Sequence, residues 1–222
     1  MKLIAAIVAL AIAVILAPLL FVMIDDTPPA PPAEGLPWQI EALPDGQSRV
    51  FGLEPGTSTI AEARTRFGPD MQMAIIAAPD QLGSLEAYFE NVTMGFVTGK
   101  LILTAEVDEQ TVAAMRERAV KAEYMESTTR RISLSPEDLQ RAYTAAIRAI
   151  TFIPSAHLDA DLIVQRFGAP DERIRSAEHV EHFLYARHGL DLALDAKGKE
   201  VLQYVAPREF DRLREPLRAL PQ

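Results

Sequence analysis

Three of the four histidines lie close together in the chain, at His179, His182 and His188. Clustered imidazoles are side chains that bind zinc and other transition metals. The tract around His179 lacks the His-Glu-x-x-His spacing of zinc proteases. The alternation of apolar and polar residues in this tract indicates a strand. On a strand, side chains three residues apart, such as those of His179 and His182, point to opposite faces. On a helix the same spacing would bring them together. We therefore predict no metal site and no cofactor.

Acidic pairs are the second candidate for chemistry. Asp159 and Asp161 could act in general acid–base catalysis, but acids at the start of a helix are also explained by its dipole. Asp70 and Asp171 recur at equivalent positions of two similar segments, as structural residues do. The chain has no Gly-x-Ser-x-Gly elbow, phosphate loop or dinucleotide fingerprint, and no cysteine. We predict no catalytic residue and no enzymatic activity; a hydrolase or metal protein using residues 179–188 is the weaker alternative.

Two strand-like segments, 85–91 and 180–186, carry a third kind of candidate residue. The side chains predicted to face the helices are Leu85, Ala87, Phe89, Val180, His182 and Leu184. Those predicted to face away form a partner-binding surface: Glu86, Tyr88, Glu90, Glu181, Phe183 and Tyr185. Exposed aromatics on a rigid sheet carry much of the binding energy at protein interfaces. The alternative is that helix or tail residues cover this face and make the aromatics part of the core.

The elements that position these residues occur twice. Segments 55–70 and 154–171 each predict a short helix that ends in Arg-Phe-Gly, with the two glycines, Gly68 and Gly168, 100 positions apart. Thr57 or Ser58 caps the first helix and Asp159 the second. Each glycine occupies a terminating position, and a proline follows within two residues. An upstream strand precedes each helix, at 49–53 and 150–153.

Strand-like text follows each helix, with predicted hairpin turns at Gly99-Lys100 and Gly198-Lys199. Between the copies we predict a charged helix over 108–122, an extended segment over 124–134 and a helix starting at Ser135, whose apolar stripe continues to Ile150. The tail after Pro207 predicts a short helix. Together these elements predict an α+β fold.

A helix that ends in Phe-Gly and a Pro-Asp turn, followed by an antiparallel meander, resembles the BamE/SmpA lipoprotein fold. Two such units in tandem resemble the β-lactamase inhibitor protein, whose paired sheets form a saddle. The resemblance covers roughly 49–107 and 150–213. It implies two tandem repeats of helix and β-meander with a saddle-like sheet, and a habit of binding other proteins. The chain departs from both relatives because it has no cysteine to acylate or to form a disulfide.

Charge and hydropathy separate the chain into parts. The formal net charge is −9, which disfavours sequence-independent nucleic-acid binding. Residues 3–24 contain no charged side chain, and this run is long enough to form a transmembrane helix in contact with the lipid bilayer. Lys2 before this run and Asp25 and Asp26 after it predict a cytoplasmic amino terminus. We predict a single-pass protein of the bacterial inner membrane with a periplasmic body; cleavage near Ala30 or Ala33 stays open.

Prolines concentrate between Pro28 and Pro44, which predicts an extended spacer. The predicted organisation is an anchor over 1–26, a linker over 27–46, a first repeat over 47–122 and a second repeat with a helical tail over 123–222. The predicted function is binding of another membrane or periplasmic protein, as an envelope-assembly factor or accessory subunit. No small-molecule substrate is expected. The alternative is an inhibitor of a periplasmic hydrolase.

Overall fold

The computed structural model describes residues 33–125 and 128–220. Within these ranges the chain forms twelve β-strands and five α-helices. The strands are β1 (Glu41–Ala42), β2 (Ser48–Arg49), β3 (Gln72–Ala77), β4 (Ser84–Met94), β5 (Val97–Ala105), β6 (Lys121–Tyr124), β7 (Arg130–Ser133), β8 (Ile147–Pro154), β9 (Glu172–Ala177), β10 (Val180–Tyr185), β11 (Leu190–Asp195) and β12 (Val201–Val205). The helices are α1 (Ile60–Phe67), α2 (Glu109–Glu117), α3 (Pro136–Ala142), α4 (Ala160–Phe167) and α5 (Asp211–Arg218).

Ten of the strands form one sheet in the order β6-β7-β3-β4-β5-β8-β12-β11-β10-β9, while β1 and β2 pair separately. Every neighbouring pair is antiparallel. The pairing of β5 with β8 at the centre joins the five strands that come first in the chain to the five that follow. Leu101 lies opposite Phe152, and Leu103 lies opposite Ile150. The sheet is therefore continuous through the middle of the chain.

Side-chain caps and glycines set the ends of the two helices in the repeated segments. Thr59 caps α1 in a capping box with Glu62, so the predicted cap at Thr57 or Ser58 is displaced by one or two residues. Asp159 caps α4 by accepting from the backbone N–H of Leu162 at 2.7 Å, as predicted. Gly68 and Gly168 follow the helices with φ of 106° and 84°, values that favour glycine.

One face of the sheet, which we call the inner face, carries the main hydrophobic core. Leu101, Leu103, Ile150 and Phe152 on the central strands are fully buried there. Residues of α1, α2, α3 and α4 belong to the same cluster, including Ile60, Val112, Ala142 and Ile163. Four of the five described helices therefore pack on the inner face.

The opposite, outer face is covered over only part of its width. Leu184 and Val205 are buried there against Phe210, with Leu213 and Leu217 of α5 packed alongside. We call this region of β8 to β12 the covered half. The outer side chains of β3, β4 and β5, with Ile153 at the end of β8, form the open half, because each of the five described helices packs elsewhere.

The predicted fold class, two tandem repeats forming a saddle-like sheet behind a transmembrane helix, is wrong. The structure instead has a single ten-stranded antiparallel sheet. Two further elements shape this architecture: the β6–β7 hairpin extends one edge of the sheet, and α5 covers the other end of the outer face. Sequence similarity between two segments indicates local elements but does not specify which strands pair across the chain.

Two local predictions are also corrected. Gly99 lies inside β5 rather than in a turn, and a Cβ there would stand 2.4 Å from the carbonyl oxygen of Ile153. Glycine is therefore required by close approach to β8 and not by turn geometry. The helix from Ser135 ends at Ala142, and Ile150 belongs to β8, because its apolar side chain is buried in the sheet rather than along a helix.

The described part of the predicted linker packs on the body. Leu36 is buried, and the hydroxyl of Tyr204 donates to the carbonyl oxygen of Pro37 at 2.9 Å. The ring of Trp38 lies edge-on to that of Phe167 at a centroid distance of 6.2 Å. Apolar side chains therefore hold residues 33–46 against the sheet, in place of a free spacer.

The prediction of a membrane-spanning element is corrected as well. Among the helices of residues 33–125 and 128–220, none has the length and apolar character needed to cross a membrane. The span predicted at residues 3–24 lies outside the described residues. Nothing in the described ranges bears on the predicted periplasmic location.

Candidate functional site

Strand alternation places the first three predicted binding residues on the open half. In β4 the buried residues Leu85, Ala87 and Phe89 face the core, so Glu86 and Tyr88 project from the outer face. Register aligns Tyr88 with Gln72 of β3 and Ile102 of β5, and Ile102 with Thr151 of β8. Four strands therefore contribute side chains to one surface.

A hydrogen-bonded cluster lies at one end of this surface. The hydroxyl of Tyr88 donates to Glu90, and the Nζ of Lys100 lies 3.0 Å from Glu90 Oε1 and 5.9 Å from the centre of the Tyr88 ring. Burial and the bond to Glu90 raise the pKa of Tyr88, while Tyr88 and Lys100 lower the pKa of Glu90. These contacts hold the Tyr88 ring in one orientation.

Glu86 has a different environment. Its Oε1 accepts from the Ser84 hydroxyl at 2.7 Å, and within the described ranges no basic side chain forms an ion pair with it. Burial raises its pKa, although the Ser84 bond partly opposes the shift. A half-buried carboxylate without a cation is incompletely stabilised. Glu86 is therefore a ready acceptor for a basic group that approaches the outer face.

The open half is concave. A groove of about 450 Å³ runs across β3, β4 and β5 to Ile153. Its floor contains Ala74, Ile76, Ile102 and Ile153, and charged or polar side chains of Gln72, Glu86, Glu90, Lys100 and Arg131 surround it. Arg131 of β7 is held at the rim by donating to Gln72 Oε1 at 2.8 Å. An apolar floor inside a polar rim is the usual anatomy of a protein-binding patch.

The other three predicted binding residues lie on the opposite side of the sheet. Phe183 and Tyr185 are buried, and the Tyr185 hydroxyl donates to the carbonyl oxygen of Gly168 at 3.1 Å. Arg173 stacks 4.1 Å from the centre of the Phe183 ring and lies 4.0 Å from Glu181. Burial raises the pKa of Tyr185 to about 12. The structure therefore does not bring Glu181, Phe183 and Tyr185 together with Glu86, Tyr88 and Glu90.

A register shift of one residue explains this reversal. The prediction puts Val180, His182 and Leu184 on the same face as Leu85, but in β10 the inner face takes Phe183 and Tyr185. Because side chains alternate with a period of two, a shift of one residue exchanges the faces of a whole strand. A bulge between β9 and β10 at Val180 adds to the irregularity.

The three clustered histidines do not converge. His182 lies on the outer face, between Ser176 and Asp191. The Nε2 of His179 lies 3.8 Å from Asp195, and the buried Nδ1 of His188 has no hydrogen-bond partner among the described residues.

Several groove residues were missed from the sequence. Lys100 was assigned to a turn, and Ile102, Ile153 and Arg131 had no assigned role. The alternation of buried Leu101 and Leu103 with Ile102 along β5 was the signal available for Ile102. Neither Arg131 nor Ile153 could be placed, because their position depends on the β3–β7 and β5–β8 pairings.

No family model matches this chain, and neither a curated protein nor a solved structure matches it. The resemblance to the BamE/SmpA fold therefore remains an interpretation of the sequence pattern.

Proposed function

We propose that the protein is a protein-binding module, and that the open half holds a segment of another protein bearing apolar side chains and one basic side chain. The observation that carries the proposal is the groove of about 450 Å³, whose apolar floor no element of residues 33–125 and 128–220 covers, beside the Glu86 carboxylate, which forms no ion pair within those ranges. An enclosed cavity would suit a small ligand, whereas an open groove with an apolar floor and a polar rim suits a polypeptide segment.

Charge complementarity indicates which kind of polypeptide segment the groove binds. Three other charged groups line the groove. Lys100 and Glu90 neutralise each other, and Arg131 donates to the neutral amide of Gln72. Glu86 is the remaining acid of the surface, and a lysine or arginine of the partner would satisfy it. Such a charge-assisted hydrogen bond is stronger when the surrounding apolar contacts exclude water. The acidic net charge of the chain also attracts basic segments.

Site-specific photo-crosslinking tests this proposal. In the full chain, in its own cells, a benzophenone amino acid replaces Tyr88 in one variant and Glu117 in a control. Glu117 is an exposed residue of α2, away from the groove. We expect an adduct with one partner protein from position 88 only, and a crosslinked peptide that contains lysine or arginine. Equal adducts from both positions, or no adduct from position 88, would contradict the proposal.

A titration then tests the role of Glu86. The crosslinked segment is synthesised as a peptide and titrated against the wild-type chain, Glu86→Gln and the control Glu117→Gln. Because a hydrogen bond to a charged group contributes about 1.5–3 kcal/mol, Glu86→Gln is expected to raise Kd by about tenfold or more. An unchanged Kd would remove the basic group from the proposal, and a peptide that does not bind the wild-type chain would overturn the surface itself.

A further inference from the structure

Three side chains of the covered half form a continuous hydrogen-bonded chain across strands β9, β10 and β11. The hydroxyl oxygen of Ser176 lies 2.9 Å from His182 Nε2. The other ring nitrogen, Nδ1, lies 2.9 and 3.0 Å from the two carboxylate oxygens of Asp191. A hydroxyl, an imidazole and a carboxylate linked in this order are the parts of an activated serine nucleophile.

The sheet fixes each part of this chain by a separate feature. His182 and Asp191 lie on neighbouring antiparallel strands, where their side chains share the outer face. Ser176 lies at the bulge in which Ala177 pairs with Val180 and Arg175 with Glu181, so it is the extra residue of its strand. Ile174 pairs with His182, and Ser176, two residues further along β9, shares the face of Ile174; bulges occur often beside active sites. Here the Ser176 hydroxyl reaches the His182 ring.

Solvent exposure increases along the hydrogen-bonded network from Asp191 towards Ser176, as catalysis by a serine nucleophile requires. The side chain of Asp191 is 4% exposed and that of His182 is 12% exposed, so the carboxylate is shielded and holds the imidazole in one orientation. Ser176 instead lines a groove of about 580 Å³ between β9 and the end of α5. Ser176 therefore borders the groove, whereas the carboxylate of Asp191 is shielded from solvent.

The groove indicates the class of substrate. Ile174, Leu217 and Leu220 contribute apolar side chains to it, beside the charged side chains of Glu172, Arg173, Arg175 and Arg218, and β9 is the last strand of the sheet. Among the described residues no further strand pairs with the outer edge of β9, so its outward backbone N–H groups are candidate donors to an oxyanion. We propose that Ser176 is the nucleophile of an esterase site that accepts carboxylic esters with a small apolar acyl group.

In the reaction, the Ser176 oxygen bonds to the ester carbonyl carbon while its proton passes to His182 Nε2. The tetrahedral intermediate collapses, the bond from the carbonyl carbon to the alcohol oxygen breaks, and His182 returns the proton to that oxygen. Water then attacks the acyl-serine and gives a proton to His182. The acid leaves as the Ser176 oxygen regains a proton from His182. Asp191 is a positioning residue throughout.

The test uses the full chain with a fluorophosphonate probe and p-nitrophenyl butyrate. We expect one probe adduct per chain, mapped to Ser176 by peptide mass spectrometry, and steady release of p-nitrophenolate. Ser176→Ala should lose both, and His182→Gln should lower kcat by about 10²–10⁴-fold. Asp191→Asn should lower kcat with little change in KM. The matched control is His157→Gln, since His157 is an exposed histidine outside the covered half and free imidazole itself hydrolyses activated esters.

Thermal unfolding separates catalysis from a structural role. If wild-type chain takes no probe at Ser176, or Ser176→Ala releases p-nitrophenolate as fast as wild type, the esterase proposal is overturned and the three residues serve only to stabilise the edge of the sheet. Loss of labelling in Ser176→Ala with an unchanged Tm supports the proposal. Ser176→Cys provides a second check, because it retains a nucleophile at the same position and should react with a thiol-directed probe faster when His182 is intact.

Discussion

The covered and open halves belong to one sheet but differ in what lies on them. On the covered half, Leu184 and Val205 are buried beneath Phe210 and the apolar side of α5. On the open half, Ile102 and Ile153 occupy comparable outer positions yet remain partly exposed. Similar outer-face side chains therefore form core in the covered half and line a groove in the open half. The difference arises because α5, which follows β12, packs on the covered half.

The difference also separates two kinds of polar arrangement. The covered half contains the Ser176–His182–Asp191 chain, in which each member has a partner. The open half contains Glu86, whose carboxylate accepts from the Ser84 hydroxyl and forms no ion pair with any described residue. A shielded and internally satisfied network suits chemistry at its exposed end, whereas an unsatisfied acid on an open surface suits recognition of a separate molecule.

The largest expected effect comes from removing the contact that covers one half. Phe210→Ala leaves a cavity against Leu184 and Val205, so we expect the free energy of unfolding to fall by about 3–5 kcal/mol. Urea denaturation with an unchanged m-value measures it. The matched change on the open half, Ile102→Ala, should cost about 1 kcal/mol or less because this side chain is already in contact with solvent. Equal losses would mean that the two halves are equally buried.

A smaller loss is expected at the seam between the halves. Gly99→Ala places a methyl group against the carbonyl oxygen of Ile153, and β5 must move away from β8. Overpacking of this kind costs about 1–3 kcal/mol. The neighbouring exposed residue supplies a control, Thr98→Ala, which should change stability by about 0.5 kcal/mol or less. If both variants unfold at the same urea concentration, close approach of the strands is not what requires glycine.

The two tyrosines that were predicted to be equivalent provide a third contrast. Tyr185→Phe removes the hydrogen bond to Gly168 and should cost about 1 kcal/mol at pH 8, whereas Tyr88→Phe should cost little. The pKa of Tyr185 is about 12 in the folded chain, against an ordinary value of 10.0. Between pH 10 and 12 the unfolded chain therefore loses this proton first, and wild type loses stability relative to Tyr185→Phe as pH rises.

Urea midpoints of both proteins at pH 8 and pH 11 measure this contrast. We expect the advantage of wild type over Tyr185→Phe to shrink or reverse at pH 11. A constant difference between the two proteins would show that Tyr185 is not buried as the inner face requires.

The smallest effect concerns Glu86. Because burial raises its folded pKa above the usual 4.5, ionisation is less favourable in the folded chain than in the unfolded one. Wild type therefore loses stability relative to Glu86→Gln as pH rises from below 4.5 through the folded pKa. At pH 7 the variant should be as stable as wild type or more stable, by about 0.5 kcal/mol or less. Paired unfolding curves at pH 4 and pH 7 check it; a variant less stable only at pH 7 would indicate a cation near Glu86.

The predicted site shows how far sequence patterns reach. In β4 the alternation was assigned correctly, since Leu85, Ala87 and Phe89 are buried and Glu86 projects outward. In β10 the same reasoning placed Phe183 and Tyr185 on the wrong side. Both faces of β10 carry buried apolar side chains, Phe183 and Tyr185 in the inner core and Leu184 beneath α5. A strand that is buried on both faces does not show which side chains face which layer.

The sequence by itself determined the short-range features of this protein. Asp159 caps α4, and Gly168 ends that helix, because capping and termination depend on residues within a few positions of each other. The tertiary structure alone decided that β5 pairs with β8, that Ser176 reaches His182, and that α5 covers one half of the outer face. The β5–β8 pairing and the α5 contacts join residues distant in the chain, whereas Ser176 reaches His182, six residues away, through the register of β9 on β10. Buried area and strand register, which no local pattern records, decide these contacts.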